Sequence, residues 1–449
     1  MSPMPTNGFM YGIDVPRFLD SDGDGVGDLD GVRASLPYIQ SLGATWIWLL
    51  PFYPSPRRDN GYDVVDHARA DPLLGGDAAF DRLVAEARDA GIRVLVDLVA
   101  HHTSDEHPWF RAVAHDPAMR ERYVWAGPPP PADEEQPMFP GEQDGVWTFH
   151  EGVGRYYRHL FYPNEPDLNV ANPDVQEEVV RIAEGWARRG VCGFRIDAAP
   201  HLVGTGRGRA ELSFFDELCG RLRAIDPEVL IFGETDLPPD QAGPFVAEGR
   251  LDALLNFTVN NAHFLALARG DRTPLDRAIR AVGEATSPEQ WINFLRNADE
   301  LDLEQLTEAE REEVYAVFAP EERMRSYGRG IRRALAPMLG DDGVAAAFEE
   351  LFAMPGLPLV MAGQEIGLGE ELEAGPRDAV RLAMQWADAP LGGFSQAPTS
   401  DHVRPMQASG PRDWSRVNVA AQEADPDSLL SRFRAIVQAA ARVGAGGGR

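Results

Sequence analysis

Three stretches of the chain each carry an apolar run into an acid: Gly193-Phe194-Arg195-Ile196-Asp197, Ile231-Phe232-Gly233-Glu234 and Phe294-Leu295-Arg296-Asn297-Ala298-Asp299. Each acid stands where the apolar pattern breaks. A carboxylate at the end of a buried strand is costly unless it is paired or used. Three of them in successive segments imply one pocket lined with carboxylates. Such a set suits the breaking and remaking of a glycosidic bond, with one carboxyl attacking the anomeric carbon and one protonating the leaving oxygen.

Rigid elements have to hold those groups. Short apolar runs predict strands at Gly8–Gly12, Thr45–Leu50, Arg93–Val99, Gly193–Ile196, Val229–Gly233, Ala253–Phe257, Ile292–Leu295 and Leu357–Ala362. Amphipathic stretches between them predict helices, among them Ala78–Ala90, Asp174–Arg189, Ser213–Ala224 and Arg323–Leu339. Eight strands alternating with helices read as a (β/α)8 TIM barrel. The strands are apolar throughout, as expected when both faces are covered. Function in such barrels collects at the C-terminal ends of strands, where all three acids fall. Residues 103–167 break the rhythm, with Gly127-Pro128-Pro129-Pro130-Pro131 in the middle. That stretch is too long for a plain strand-to-helix loop and reads as a small inserted domain after the third strand. The barrel then occupies 1–102 and 168–442. A last helix is expected over Asp427–Arg442, and residues 443–449 read as a flexible tail.

Composition narrows the partners. The 449 residues carry 71 acids against 42 bases, a formal charge of -29, which argues against nucleic acid or an anionic membrane as partner. No apolar stretch approaches a membrane span, and Met1–Tyr11 has no signal-peptide pattern. Cys192 and Cys219 give no disulfide framework and no C-x-x-C metal motif, which fits a reducing cytoplasm. Nothing calls for an organic cofactor, and a homo-oligomer stays open.

The motifs Asp97-Leu98-Val99-Ala100-His101-His102-Thr103-Ser104, Gly193–Asp197, Gly233-Glu234-Thr235, Asn297–Glu300 and Val380-Arg381 leading to Met384-Gln385-Trp386 occur in this order. With them, nearly the whole chain resembles the α-amylase family of glycoside hydrolases and transglucosidases. It is most similar to the trehalose synthase and oligo-1,6-glucosidase branch. The resemblance implies Asp197 as nucleophile, Glu234 as general acid/base and Asp299 as the acid that orients the sugar. Arg195, two residues before Asp197, faces the same side of its strand and is placed to keep Asp197 ionised. In Asp59-Asn60-Gly61-Tyr62-Asp63 the resemblance gives Asp59 to sugar hydroxyls and Tyr62 to stacking on the ring, a blocked end that favours handling one glucose unit at a time. His102 and Arg381 are expected beside the same glucose. The implied partners are a small α-glucoside and a sugar or other small acceptor.

Asp20-Ser21-Asp22-Gly23-Asp24-Gly25-Val26-Gly27-Asp28 spaces carboxylates along a Gly-rich turn, a donor pattern for Ca²⁺. The loop resembles a structural calcium loop of the same branch. Asp20, Asp22, Asp24, the Val26 carbonyl and Asp28 are the expected ligands, with Mg²⁺ as the alternative ion and loop rigidity as the role.

Departures from the family pattern matter too. Ala298 stands where the family has His before the third acid, so a hydrogen bond to the bound glucose is expected to be missing. One such contact is worth on the order of 3 kcal/mol. Either Ala298 makes room for a different sugar or a neighbouring side chain, or activity is weak. Glu165 replaces a common Gln and is expected to add a negative charge near the insert. No β-sandwich pattern follows the last helix. The leading expectation is a retaining α-glucoside enzyme that hydrolyses, transfers or isomerises. The alternative is a weakly active or non-catalytic carbohydrate-binding barrel.

Overall fold

The computed structural model describes residues 8–130, 136–398 and 405–446. Eight parallel strands close on themselves: β1 Met10–Ile13, β2 Trp46–Leu49, β3 Arg93–Leu98, β4 Gly193–Ile196, β5 Leu230–Gly233, β6 Ala253–Leu255, β7 Trp291–Phe294 and β8 Leu357–Met361. Each pairs with its neighbours in sequence order, and β8 returns to β1 through Met10 opposite Leu359. The eight runs read from sequence fall on these strands to within a few residues. Closure leaves the barrel sheet without a free edge.

Two apolar clusters follow from the period-two alternation of the strands. One fills the barrel: Met10, Trp46, Trp48, Leu95, Leu230, Phe232, Ile292, Phe294, Leu357 and Leu359. The other lies between strands and helices and takes the residues of opposite parity, such as Ile47, Leu49, Val94, Val96, Phe194 and Ile231. The helices Gly76–Asp89 and Pro173–Arg188 show how the outer layer is made. Phe80 and Trp186 meet edge to face at 4.7 Å, both essentially fully buried. Each such ring contributes about 2–3 kcal/mol through burial.

Parity also decides where the acids point. Leu95, Leu230 and Phe232 face inward, so Asp97 and Glu234, two residues further on in each case, face inward at the mouth. Arg195 is the register partner of Asp97. The ladder continues one step past the strands, with the Asp197 N–H donating to the Leu98 carbonyl and the Glu234 N–H to Ile196.

Between β3 and the helix Pro173–Arg188, the chain builds the short helices Pro108–Ala112 and Pro117–Arg120 and a three-stranded antiparallel sheet. The sheet's order is Trp125–Ala126, Arg155–Arg158, Trp147–His150. Pro131 of the expected proline run lies outside the described residues.

Two expectations are corrected. Arg323–Leu339 is not one helix. Arg325–Ser326 and Gly330–Ile331 pair as a hairpin, and the helix runs Leu335–Ala353, kinked at Gly340. Tyr327 and Gly328 both have positive φ, a turn geometry that the helical count of apolar residues ignored. The last helix runs Leu429–Gly446, so the backbone stays helical past residue 443, into the expected tail. Residues 447–449 lie outside the described residues.

Candidate active site

Arg195 is the hub. Its Nη1 donates to Asp97 Oδ1 at 2.5 Å and to Asp197 Oδ1 at 2.7 Å, and its Nη2 lies 2.5 Å from Glu234 Oε1. Two nitrogens of one guanidinium therefore hold the expected nucleophile and the expected acid/base. Asp97 is fixed from its other side by the Trp48 indole N–H at 3.0 Å. Sequence reading quoted Asp97 within a motif and gave it no role. Its inward parity at the end of β3 was the available signal.

Asp299 reaches the same mouth from the segment after β7. Arg377 Nη2 approaches its Oδ1 at 3.0 Å and Arg381 Nη2 donates to it at 2.8 Å. Arg377 also brings Nε within 2.5 Å of Asp59 Oδ1. One pocket is lined by Asp59, Tyr62, His102, Arg195, Asp197, Glu234, Asn297, Asp299 and Arg377. Phe139, Phe161 and Phe257 supply apolar walls.

Loop 59–63 is shaped by its glycine. Asn60 and Gly61 both have positive φ, and a Cβ on Gly61 would sit 2.8 Å from the Pro51 carbonyl oxygen. The turn brings Tyr62 under the Arg195 guanidinium, which donates to its hydroxyl at 3.2 Å. His102 donates from Nε2 to the Tyr62 carbonyl oxygen, 3.2 Å away. Burial lowers His102 to about 4, so the ring is neutral.

Burial and charge sort the carboxyls into roles. Burial raises Glu234, Arg195 pulls it down, and the charges of Asp197 and Asp299 raise it again; the net direction is up. A proton donor at neutral pH needs that direction. Asp197 is also raised by burial, with Arg195 opposing. Asp299 goes the other way. Burial alone would raise it, but Arg377 and Arg381 overcome that and hold it well below the carboxylate range. The pocket thus holds one acid that its arginines push toward the ionised form beside two that burial pushes toward protonation.

Three placements differ from the sequence expectations. Arg381 does not line the pocket. It stands behind Asp299 and lines a neighbouring cavity, and Arg377 takes the position beside Asp59. Ala298 is buried in the barrel's interior cluster and lines that same cavity instead of the pocket. Glu165, expected to add charge near the insert, is fully buried 3.9 Å from His102, where burial and the charge of Asp59 push its carboxyl well up.

A strap closes one rim. Arg329, in the turn between the hairpin strands Arg325–Ser326 and Gly330–Ile331, donates to the Met138 carbonyl at 3.0 Å. It also holds Asp302 at 3.1 Å and Glu304 at 3.2 Å.

The acidic loop lies outside the pocket's lining. Carboxylate oxygens of Asp20, Asp22 and Asp28 lie within 4.8 Å of one another. Among the described residues, no arginine or histidine pairs with any of the three. Asp20 accepts from the Gly23 and Gly25 N–H groups, and Asp28 from Gly31 and Ser21. Three converging, cation-free carboxylates fit a hard divalent ion. Asp24 is exposed, accepts from the Val26 N–H and stands outside the converging group, which narrows the expected ligand set.

Comparison with known proteins completes the site. Residues 13–442 match the family described as "Alpha amylase, catalytic domain". The chain is 37% identical over 442 residues to a protein named trehalose synthase from Thermus thermophilus, covering 95% of this chain and 45% of that protein. It is 35% identical over 452 residues to the trehalose synthase/amylase TreS of Mycolicibacterium smegmatis, covering 96% and 76%. This chain thus spans less than half of the first relative and about three quarters of the second. Among solved structures, an α-glucosyl transfer enzyme, XgtA, superposes with a TM-score of 0.79 at 26% identity, covering 98% of this chain and 84% of that one. Among the described residues no helix is long and apolar enough to cross a membrane.

Proposed function

The chain belongs to the α-amylase family, and on that premise we propose that it is a retaining enzyme of small α-glucosides, working through a covalent glucosyl–Asp197 intermediate. The observation that carries this reading is the single Arg195 guanidinium shared by Asp197 and Glu234. Retaining catalysis needs its two carboxyls only about 5–5.5 Å apart, and a shared guanidinium enforces such closeness. The steps follow from the roles. The Asp197 carboxylate attacks the anomeric carbon from one face while the Glu234 carboxyl gives its proton to the departing glycosidic oxygen. Glu234, now ionised, takes a proton from water or from an acceptor hydroxyl. That oxygen attacks the same carbon and expels Asp197. Asp299, held ionised by two arginines, stabilises the positive charge that develops on the ring. Asp59 and Arg377 close the pocket's end around one sugar unit, with Tyr62 as its stacking surface.

Transfer or isomerisation of a maltose-sized donor is the favoured outcome, supported by the names of the relatives in the trehalose synthase branch and by the apolar walls that exclude water. The acidic loop is assigned a structural Ca²⁺, or Mg²⁺ in its place, held by Asp20, Asp22 and Asp28. Its role is to stiffen the turn beside β1. The two unpaired cysteines favour a reducing, cytoplasmic setting.

The test is incubation with maltose, sucrose, trehalose and nitrophenyl α-glucoside, followed by product chromatography for the native chain and for Asp197→Ala. Products from the native chain that vanish at least about 10⁴-fold in the variant support the reading. Turnover retained in Asp197→Ala overturns the nucleophile assignment. No product from any donor at high enzyme favours a carbohydrate-binding barrel instead.

A further inference from the structure

A second cavity, of about 70 Å³, lies behind the pocket wall and shares Asn297 with it. Its lining includes Arg17, Arg296 and Arg381, with Asp14 as its one carboxylate. Arg296 is 2% exposed, and no acid lies within ion-pair distance of it among the described residues. Its Nε donates to the Arg333 carbonyl and its Nη1 to the Asp299 carbonyl, while Nη2 has no acceptor. Gln364, which also lines the cavity, presents an amide to the Arg296 backbone carbonyl, so it supplies no charge. Arg381 is 3% exposed and pairs through Nη2 with Asp299, its Nη1 lies 3.7 Å from Asp14, and its Nε has no acceptor; Arg17 pairs with Asp14 at 2.8 Å and Asp378 at 3.2 Å and leaves Nε without an acceptor, so of the three only Arg296 has no acid beside it.

An uncompensated buried guanidinium costs several kcal/mol unless something neutralises it. The unpaired Arg296 guanidinium, with the unused N–H groups of Arg381 and Arg17 beside it, matches an anion with several acceptor oxygens. The space is too small for a second hexose but well above the 10–15 Å³ that one water requires. We propose that this cavity is a binding site for a small oxyanion of the phosphate type, held by Arg296 with Arg381 and Arg17. The same Arg381 restrains Asp299, so the anion sits one side chain from the catalytic acids. Two sources share this chemistry: free phosphate, or a phosphate borne by a sugar whose ring occupies the adjacent pocket. The second source rests on the function proposed above; the site itself does not.

The experiment uses the full chain and reads binding, so it stands apart from turnover. Inorganic phosphate is titrated at constant ionic strength, with chloride as control, by calorimetry and thermal melting. The native chain is expected to show saturable binding and a rise in Tm of about 2 °C at tenfold excess over Kd. Arg296→Met is expected to lose both. Should that variant fail to melt cooperatively, Ala362→Leu fills the cavity with every arginine kept, and is expected to lose the same response. Glucose 6-phosphate is then compared with glucose plus phosphate. Tighter binding of the phosphorylated sugar that is lost in Arg296→Met assigns a sugar-borne anion, and independent binding of the two assigns a free one. A phosphate response equal to chloride's, or unchanged in both variants, overturns the site and leaves a water-filled cavity. Phosphate binding in a chain that turns over no glucoside keeps the site and sinks the catalytic reading alone.

Discussion

Two clusters of acidic residues solve like-charge repulsion differently. In the pocket, buried Asp97, Asp197 and Asp59 and half-buried Glu234 and Asp299 are interleaved with Arg195, Arg377 and Arg381. In the loop after β1, Asp20, Asp22 and Asp28 converge with only backbone N–H groups and serine hydroxyls as partners. Arginine is a fixed cation, so the pocket keeps its geometry whether or not a ligand is present. A loop without an arginine leaves room for the divalent ion proposed above. Catalytic acids have to be pre-organised; a brace does not.

The sharpest way to break the comparison is to remove the proton donor and keep the arginine. Glu234→Gln is expected to lower turnover of maltose about 10³-fold. Donors whose leaving group needs no proton, such as glucosyl fluoride, should lose far less in the first step. Equal losses on both donors would show that Glu234 is structural. The pH profile of the native chain should fall on its alkaline side above the ordinary carboxylate range, because Glu234 is raised and acts in its protonated form. A profile flat from pH 5 to 9 would contradict that role.

A smaller effect separates charge used for function from charge used for stability. Burial holds Asp59 up to about 6, against an ordinary value near 4. The folded state therefore keeps a proton that the unfolded chain releases between those values. This contribution is fully present below pH ~4 and is lost as pH rises through 6, so above it the ionised group costs on the order of 2–3 kcal/mol. Asp59→Asn should raise Tm at pH 7.5, leave it unchanged at pH 4, and lower kcat/KM. A fall in Tm at pH 7.5 would mean that Arg377 needs the charge more than burial penalises it.

The smallest effect is expected in the loop. Removing divalent ions with EDTA should lower Tm by a few degrees, restored by Ca²⁺, and Asp20→Asn should make the chain insensitive to both. A chelator that abolished activity at temperatures where the fold persists would move the loop from brace to catalytic part.

Sequence made the barrel readable because closed parallel strands are continuous apolar runs, and because Asp197 and Glu234 each directly follow one; Asp299 lies further on, in the segment after β7. Sequence also marked loop 59–63, through the resemblance of Asp59-Asn60-Gly61-Tyr62-Asp63 to a sugar-holding loop. Arg377 was missed for a physical reason. Its partner Asp59 lies 318 positions earlier, and Gly375-Pro376-Arg377-Asp378 reads locally as an ordinary turn. Arg381, in the more recognisable motif, was assigned the pocket in its place, although it stands behind Asp299. The hairpin around Tyr327 was hidden because period counting rewards apolar spacing and is blind to a left-handed turn. Glu165 shows the limit of reading charge from letters: burial, invisible in sequence, pushes its carboxyl up.

The Arg329 strap has a consequence for selectivity. It fastens the segment after β7 to the inserted sheet's side of the mouth through several contacts at once, all inside the folded chain. The rim is thus assembled during folding, and its ordering entropy is spent there instead of at each encounter with a ligand. An arriving molecule meets an aperture of fixed outline, and exclusion by size precedes any recognition by hydrogen bonds.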